Sequence, residues 1–184
     1  VEITIYTTAY NKKISYYQAT VKLTKNSKLK TIKPPQHNKL GYTQQLTDFL
    51  YAHQKKLLEY GQDFQGVKEI IALSDRSITA LCHLPDIETD YFANFTQSQF
   101  NPYAYDIATH VTTAWLAHTH QSVCMPAIVE GFVFYKAIPK GARYYVTNTI
   151  KTCNIDNNKI IYTMHVYDLE GNTYFTVETI TMVT

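Results

Sequence analysis

The sequence predicts an α+β fold in which a curved antiparallel sheet wraps around a central helix. Three observations carry that expectation. A helical pattern opens near Pro102 and closes before Gln121, with Ile107, Val111, Ala114 and Trp115 on one stripe. Four β-patterned segments follow it, "AIVEGFVFYKAI", "ARYYVTNTIKTC", "KIIYTMHVYD" and "TYFTVETITMV". The last two alternate apolar with polar residues, as a sheet with one face on a helix and one exposed should.

In chain order, "VEITIYTT" and "ISYYQATVKLT" are rich in β-branched and aromatic residues, so residues 1–24 read as a hairpin turning at "AYNKK". The basic, aperiodic stretch "KNSKLKTIKPPQHNKLG" carries Pro34-Pro35 and reads as an exposed linker. Residues 43–59 place Leu46, Phe49, Leu50, His53, Leu57 and Leu58 at helical spacing before Gly61. "VKEIIALSD" and "SITALCHL" read as two strands about the turn Ser74-Asp75-Arg76-Ser77, and "PDIETDYFANFTQSQFNP" as a long loop. After the second helix, "PKG", "NIDNN" and "LEGN" divide the four remaining strands.

At 184 residues, with 45% apolar and 17% charged content, the chain is a globule long enough to bury a core. A net charge of +2, with no basic run interleaved with aromatics, argues against nucleic acid. No long apolar stretch argues for a membrane span, and no signal peptide is recognisable. Cys82, Cys124 and Cys153 are odd in number and widely spaced, which disfavours a disulfide framework or zinc site and favours a reducing, cytoplasmic setting. Cys124 is expected to be a buried small hydrophobe. A chain that begins at Val1 is expected to be an excerpt or a processed piece.

The chemistry concentrates in "FNPYAYDIATH". Asp106 and His110 are four residues apart, so a helix puts them on one face. A nearby imidazole can donate to the carboxyl and hold its orientation. The helix N-terminus favours the ionised acid and apolar burial the neutral one, and these opposing effects tune an acid for proton transfer. Spacing alone fits equally an ordinary helix acid with a histidine neighbour. His118 and His120 read as a polar helix end, because i and i+2 face apart and no carboxylate accompanies them. His83 and His165 fall in strands, and His53 on the apolar face of the first helix. Glu130, inside "VEGF", is expected to be structural, bonded to nearby backbone if buried. Some of the sixteen tyrosines should be core residues, others pocket walls.

Several motifs occur in a telling order. Tyr60-Gly61-x-x-Phe64-Gln65-Gly66 comes first, then Asn101-Pro102 leading to Asp106-x-x-x-His110. A segment with Pro126, Glu130-Gly131 and Tyr135 follows, and "YDLEGNTYFTVETITM" closes. This succession resembles the C-terminal half of a polyketide synthase dehydratase domain, a double-hotdog fold. The resemblance runs from about Leu46 onward, and the opening hairpin is similar to the last two strands of the family's N-terminal hotdog. It therefore implies a remnant of a first hotdog over 1–42 and a C-terminal hotdog over 43–184.

In that family a histidine removes a proton from C2 of a carrier-bound 3-hydroxyacyl thioester, and an aspartic acid protonates the leaving hydroxyl. The resemblance implies Asp106 as that acid and His110 as its orienter. It implies Tyr60, Gly61, Phe64, Pro102, Tyr105 and Pro126 as substrate-binding. No resident cofactor is implied, the substrate arriving on the phosphopantetheine of an acyl carrier protein. The family's histidine motif, His-x-x-x-Gly-x-x-x-x-Pro, has no good match. His37 to Gly41 fits its first half, but Leu46 stands where proline should, and the segment follows the hairpin that should close the first hotdog. Gln62 replaces a proline, Asn101 a histidine, and Tyr103 and Tyr105 smaller aliphatic residues of the family pattern.

Three functional readings follow. The first is a dehydratase half whose base lies in another segment. The second is the same fold used for isomerisation, cyclisation or product-template folding of polyketones. The third is a non-catalytic pseudo-dehydratase scaffold. Expected partners are an acyl carrier protein and either a second hotdog half or a second copy of the chain.

Overall fold

The computed structural model describes residues 2–9, 12–22, 31–35, 50–51, 60–86 and 101–183. The expected loop over 87–100, most of the helix over 43–59, and His37, Gly41, Leu46 and His53 lie outside the described residues, as does much of the basic linker. Two strands, β1 (Glu2–Ala9) and β2 (Lys12–Thr20), pair antiparallel as a separate two-stranded sheet. The main sheet has six strands: β3 (Val67–Ser74), β4 (Ser77–His83), β5 (Met125–Phe134), β6 (Arg143–Asn154), β7 (Lys159–Tyr167) and β8 (Thr173–Val183). All neighbours are antiparallel, in the order β3-β4-β6-β7-β8-β5. The helix α1 (Pro102–His120) packs against β3, β4 and β6.

Local chemistry accounts for the boundaries. The Asn101 side chain accepts from the Tyr103 N–H at 2.9 Å, and Pro102 occupies the first turn, where its missing N–H is harmless. Gln121 ends the helix in the left-handed region, at φ 51°. Ser74 and Ser77 close the β3–β4 turn with a hydroxyl–hydroxyl bond of 2.8 Å. The expected stripe Ile107, Val111, Ala114 and Trp115 is buried, but so are Thr109, His110, Thr112 and Thr113. α1 is thus enclosed on nearly all sides, the sheet covering one and the segment containing Leu50 contributing to the same core. This is a central helix rather than an amphipathic one lying on a surface.

On the opposite face of the sheet, Leu81, Tyr145 and Tyr167 form a cross-strand row with Ile71 beside it, and Ile32 packs over them. Residues 31–35 are tied there by Ile32 N–H donating to the Gly171 carbonyl at 2.9 Å. Gly171, at φ +93°, has no room for a side chain because a Cβ would collide with the Ile32 carbonyl oxygen. Asp168 organises the same β7–β8 turn. It accepts from Lys136 Nζ at 2.8 Å and from the Asn172 N–H at 2.8 Å.

Burial pushes the Asp168 carboxyl up, but the bonds from Lys136 and Asn172 outweigh it, and the net shift is downward. A depressed folded pKa means Asp168 adds stability that is complete above the ordinary carboxyl value of about 3.9 and is lost as pH falls through the lower folded value. Asp168→Asn should therefore flatten the acid limb of a stability–pH curve below about pH 4 and leave its slope at neutral pH alone. Thermal melts at stepped pH would show it, and an unchanged acid limb would contradict it.

β5 bears on the expectation for Glu130. It is an edge strand, with Met125 at 57%, Ile128 at 54%, Val129 at 42% and Phe132 at 37% exposure. Glu130 is likewise exposed, so it has no desolvation to offset and needs no structural partner; that expectation is corrected. The strand pattern is legible in the residues, but whether a strand sits centrally or at an edge is a property of the whole sheet.

Candidate active site

Asp106 lies one turn into α1, with a side chain 41% exposed, and His110 lies one turn further on and is 2% exposed. His110 Nε2 is 3.1 Å from Asp106 Oδ2. Neither imidazole nitrogen makes an aligned hydrogen bond among the described residues, so the pair is in contact without the directed bond expected from the sequence. Proximity, with the carboxyl half open to solvent, leaves the acid able to meet a substrate while the ring behind it stays fixed.

The imidazole is held by aromatic packing. Tyr60 lies against it, with centroids 3.8 Å apart and planes tilted by 41°. Tyr51 approaches edge-on at 6.3 Å and 72°, its hydroxyl accepting from the Val67 N–H at 2.9 Å. Gln65 Nε2 donates to the Tyr60 carbonyl at 3.0 Å and fixes the chain that presents that ring. Burial, then the negative charge of Asp106, pushes the Tyr60 phenol up to about 12; a bond with Thr113 opposes this. The Tyr105 phenol is also pushed to about 12, again by burial and then by Asp106. Both phenols therefore stay protonated at neutral pH.

Each remaining candidate residue has a definite place. Gly61 precedes a 3-10 turn, Gln62–Phe64, closed by the Phe64 N–H on the Gly61 carbonyl at 2.9 Å. Gln62 therefore forms the turn that a proline would otherwise help shape. Among the described residues a side chain at Gly61 would meet nothing closer than Phe64 at 3.9 Å, and none of them requires a glycine there. Phe64 stacks on Tyr103 at 4.5 Å and 29°, which ties this turn to the first turn of α1. Pro102 opens the helix. Tyr105 meets Phe132 at 6.1 Å and Phe175 at 6.5 Å, an aromatic wall between α1 and the β8–β5 edge. Pro126 is exposed on β5, opposite Met182. Just before it, Cys124 is buried, its thiol 3.5 Å from Met182 Sδ and 3.7 Å from Thr113 Oγ1. The geometry thus gathers Asp106, His110 and Tyr60, sets Tyr105 beside the acid, and leaves Pro126 at the margin.

Sequence reasoning misses Tyr51 and Thr113. No spacing signal links either to the dyad, since Tyr51 lies far upstream of Asp106 and Thr113 is one of several threonines in the helix. Asn101 is more than a departure from a family pattern, because Asn before Pro is a helix-start signal in its own right.

His118 and His120 lie twelve or more residues beyond Asp106, about 18 Å along the helix axis. They border a surface depression of about 640 Å³ shared with Arg76 and Lys151, and His120 Nε2 is 3.5 Å from Cys153 Sγ. Among the described residues no group of three His, Cys, Asp or Glu side chains could hold a metal ion, and no helix is long and apolar enough to cross a membrane.

Comparison with known proteins adds the family. Among solved structures, a trans-AT polyketide synthase dehydratase domain from Brevibacillus brevis superposes with a TM-score of 0.75 at 14% identity, covering 100% of this chain and 64% of that one. The dehydratase domain from the CurF module of curacin polyketide synthase gives 0.70 at 17%, again with 100% and 64% covered. The dehydratase domain of RzxB from Pseudomonas fluorescens gives 0.67 at 13%, with 100% and 63% covered. At such identities these likenesses establish the hotdog fold, and this chain spans somewhat under two thirds of each. No curated protein matches. The family described as "Polyketide synthase dehydratase N-terminal domain" matches residues 34–184, most of the chain. The chain therefore belongs to the polyketide synthase dehydratase family.

Proposed function

We propose that this chain is the acid-bearing hotdog of a dehydratase acting on carrier-bound 3-hydroxyacyl thioesters. The observation that carries the reading is the half-open Asp106 carboxyl, 3.1 Å from a buried His110 that Tyr60 holds in place. In the proposed reaction a base takes the C2 proton and Asp106, protonated, gives its proton to the C3 hydroxyl. The C3–O bond breaks, water leaves, and the C2 electron pair becomes the new double bond. Asp106 ends as a carboxylate and regains its proton from the base or from solvent.

The base is proposed to come from a second hotdog. The family description that matches this chain names an N-terminal domain. The Asp106-x-x-x-His110 motif favours the second half instead, because the resemblance puts the acid there and the histidine in the first. The thioester would be delivered on the phosphopantetheine arm of an acyl carrier protein. The proposed elimination of water is redox-neutral overall, so it calls for no electron-carrying cofactor.

Incubation with a 3-hydroxyacyl pantetheine thioester and mass spectrometry of the product tests the reaction type. Loss of one water supports dehydration. A product of unchanged mass with altered retention supports isomerisation or ring closure instead, and untouched substrate with the base supplied supports a scaffold.

The exposed edge strand supports the proposed pairing. Ile128 and Val129 stand on a strand whose outer edge meets no other strand of the sheet among the described residues. The isolated chain is expected to self-associate, with Val129→Lys shifting it to monomer in sedimentation velocity. A wild type that stays monomeric at about 100 μM would contradict this; micromolar affinity corresponds to about −8 kcal/mol.

A further inference from the structure

α1 carries both members of the dyad, so whatever fixes its position on the sheet fixes them. Its row Ala104, Ala108, Thr112 and Leu116, spaced at i+4, is buried, and three of these four side chains are small. Helices lock against neighbours through projecting side chains that enter grooves, and a row of alanines projects little. Packing along this row therefore resists sliding weakly.

Asn148 lies against it. It sits on β6, fully buried, with Ile78 and Met164 as cross-strand neighbours, both themselves buried. Its Nδ2 donates to the Ala108 carbonyl at 3.1 Å and to Thr112 Oγ1 at 2.9 Å. One amide group thereby holds two points a single helical turn apart. A slip of one residue would move every side chain about 1.5 Å along the axis and rotate it about 100°, breaking both bonds. Asn148 Oδ1, by contrast, has no hydrogen-bond partner among the described residues. An unsatisfied buried carbonyl costs stability, and a leucine of similar size would fill this apolar site without that cost. The residue is a poor choice for filling the core and a good one for setting helix position.

We propose that Asn148 is a positioning residue that pins α1 at Ala108 and Thr112, the turn between and just beyond Asp106 and His110, and so sets where the dyad stands. The role in catalysis rests on the dehydratase reading; the pin itself does not. It acts from the sheet side of the helix, through β6, whereas Tyr60 reaches the dyad from another segment of the chain.

The test uses the 184-residue chain and the NMR resonances of the His110 imidazole nitrogens at one fixed pH. Asn148→Leu should fold with a cooperative thermal transition and move the His110 signals by more than their line width, while those of His83 stay in place. Thr112→Val, which keeps shape and removes one acceptor, should move them less and in the same direction. Combined with Asn148→Leu it should add nothing further. Should Asn148→Leu fail to fold, Thr112→Val decides alone. Unmoved His110 signals in a folded variant overturn the pin. With a base-bearing hotdog supplied, Asn148→Leu should lower kcat roughly tenfold with KM unchanged. An inactive wild type in that assay would count against the dehydratase reading and leave the NMR result standing.

Discussion

Asp106→Asn is expected to lower water elimination by the assembled site about a thousandfold, the scale of losing a positioned general acid. The amide has nearly the carboxyl's shape and cannot release a proton to the leaving hydroxyl. Because the Asp106 side chain is 41% exposed, stability should change by no more than about 0.5 kcal/mol. The loss should therefore appear in kcat with an unchanged melting curve. His110 is different. It is 2% exposed and packed beneath Tyr60, so His110→Ala should destabilise the chain as well as slow it. His110→Gln keeps a polar group of similar reach and should retain more activity than His110→Leu. Rates within about threefold of wild type for Asp106→Asn would show that Asp106 is not the acid.

Gly66→Ala should be strongly damaging for a single methyl, at about 3 kcal/mol, or roughly 10 °C in melting temperature. A Cβ there would stand 2.7 Å from the His83 carbonyl oxygen and 2.8 Å from Ile107 Cγ2. Neither neighbour can yield easily. His83 N–H donates to the Gly66 carbonyl at 2.8 Å, which clamps the two backbones together, and Ile107 is fully buried. Ile107 also adjoins Asp106, so any shift that admits the methyl should move the acid. Differential scanning calorimetry decides it; a melting temperature within about 2 °C of wild type would show that the contact relaxes at little cost.

Much of this architecture is legible in the sequence because local signals agree with the fold. Asn101-Pro102 marks a helix start, the stripe through Trp115 carries it onward, and the helix stops at Gln121 as expected. Strand limits at Val67, Ser77, Lys159 and Thr173 follow alternation and turn residues closely. What alternation does not encode is neighbourhood. It marks "AIVEGFVF" as a strand without revealing an edge, and so it suggests for Glu130 a burial that the residue lacks. The Asp106–His110 contact follows from helical spacing, whereas the Tyr60 and Tyr51 rings that hold His110 arrive from another part of the chain. Asn148 carries no signal, since one polar residue in a strand is usually a solvent-facing one. Its role depends on which face of β6 meets the helix.

On the proposed reading, this chain holds the acid of a two-part site and takes its base from a second hotdog. The most direct measurement is water loss from a 3-hydroxyacyl pantetheine thioester by the chain alone, then with a base-bearing dehydratase hotdog added in trans, with Asp106→Asn run beside each. Negligible turnover is expected alone, turnover on mixing, and none on mixing with Asp106→Asn. Turnover by the chain alone that disappears in Asp106→Asn would contradict the two-part site, because the base would then lie within this chain or its dimer.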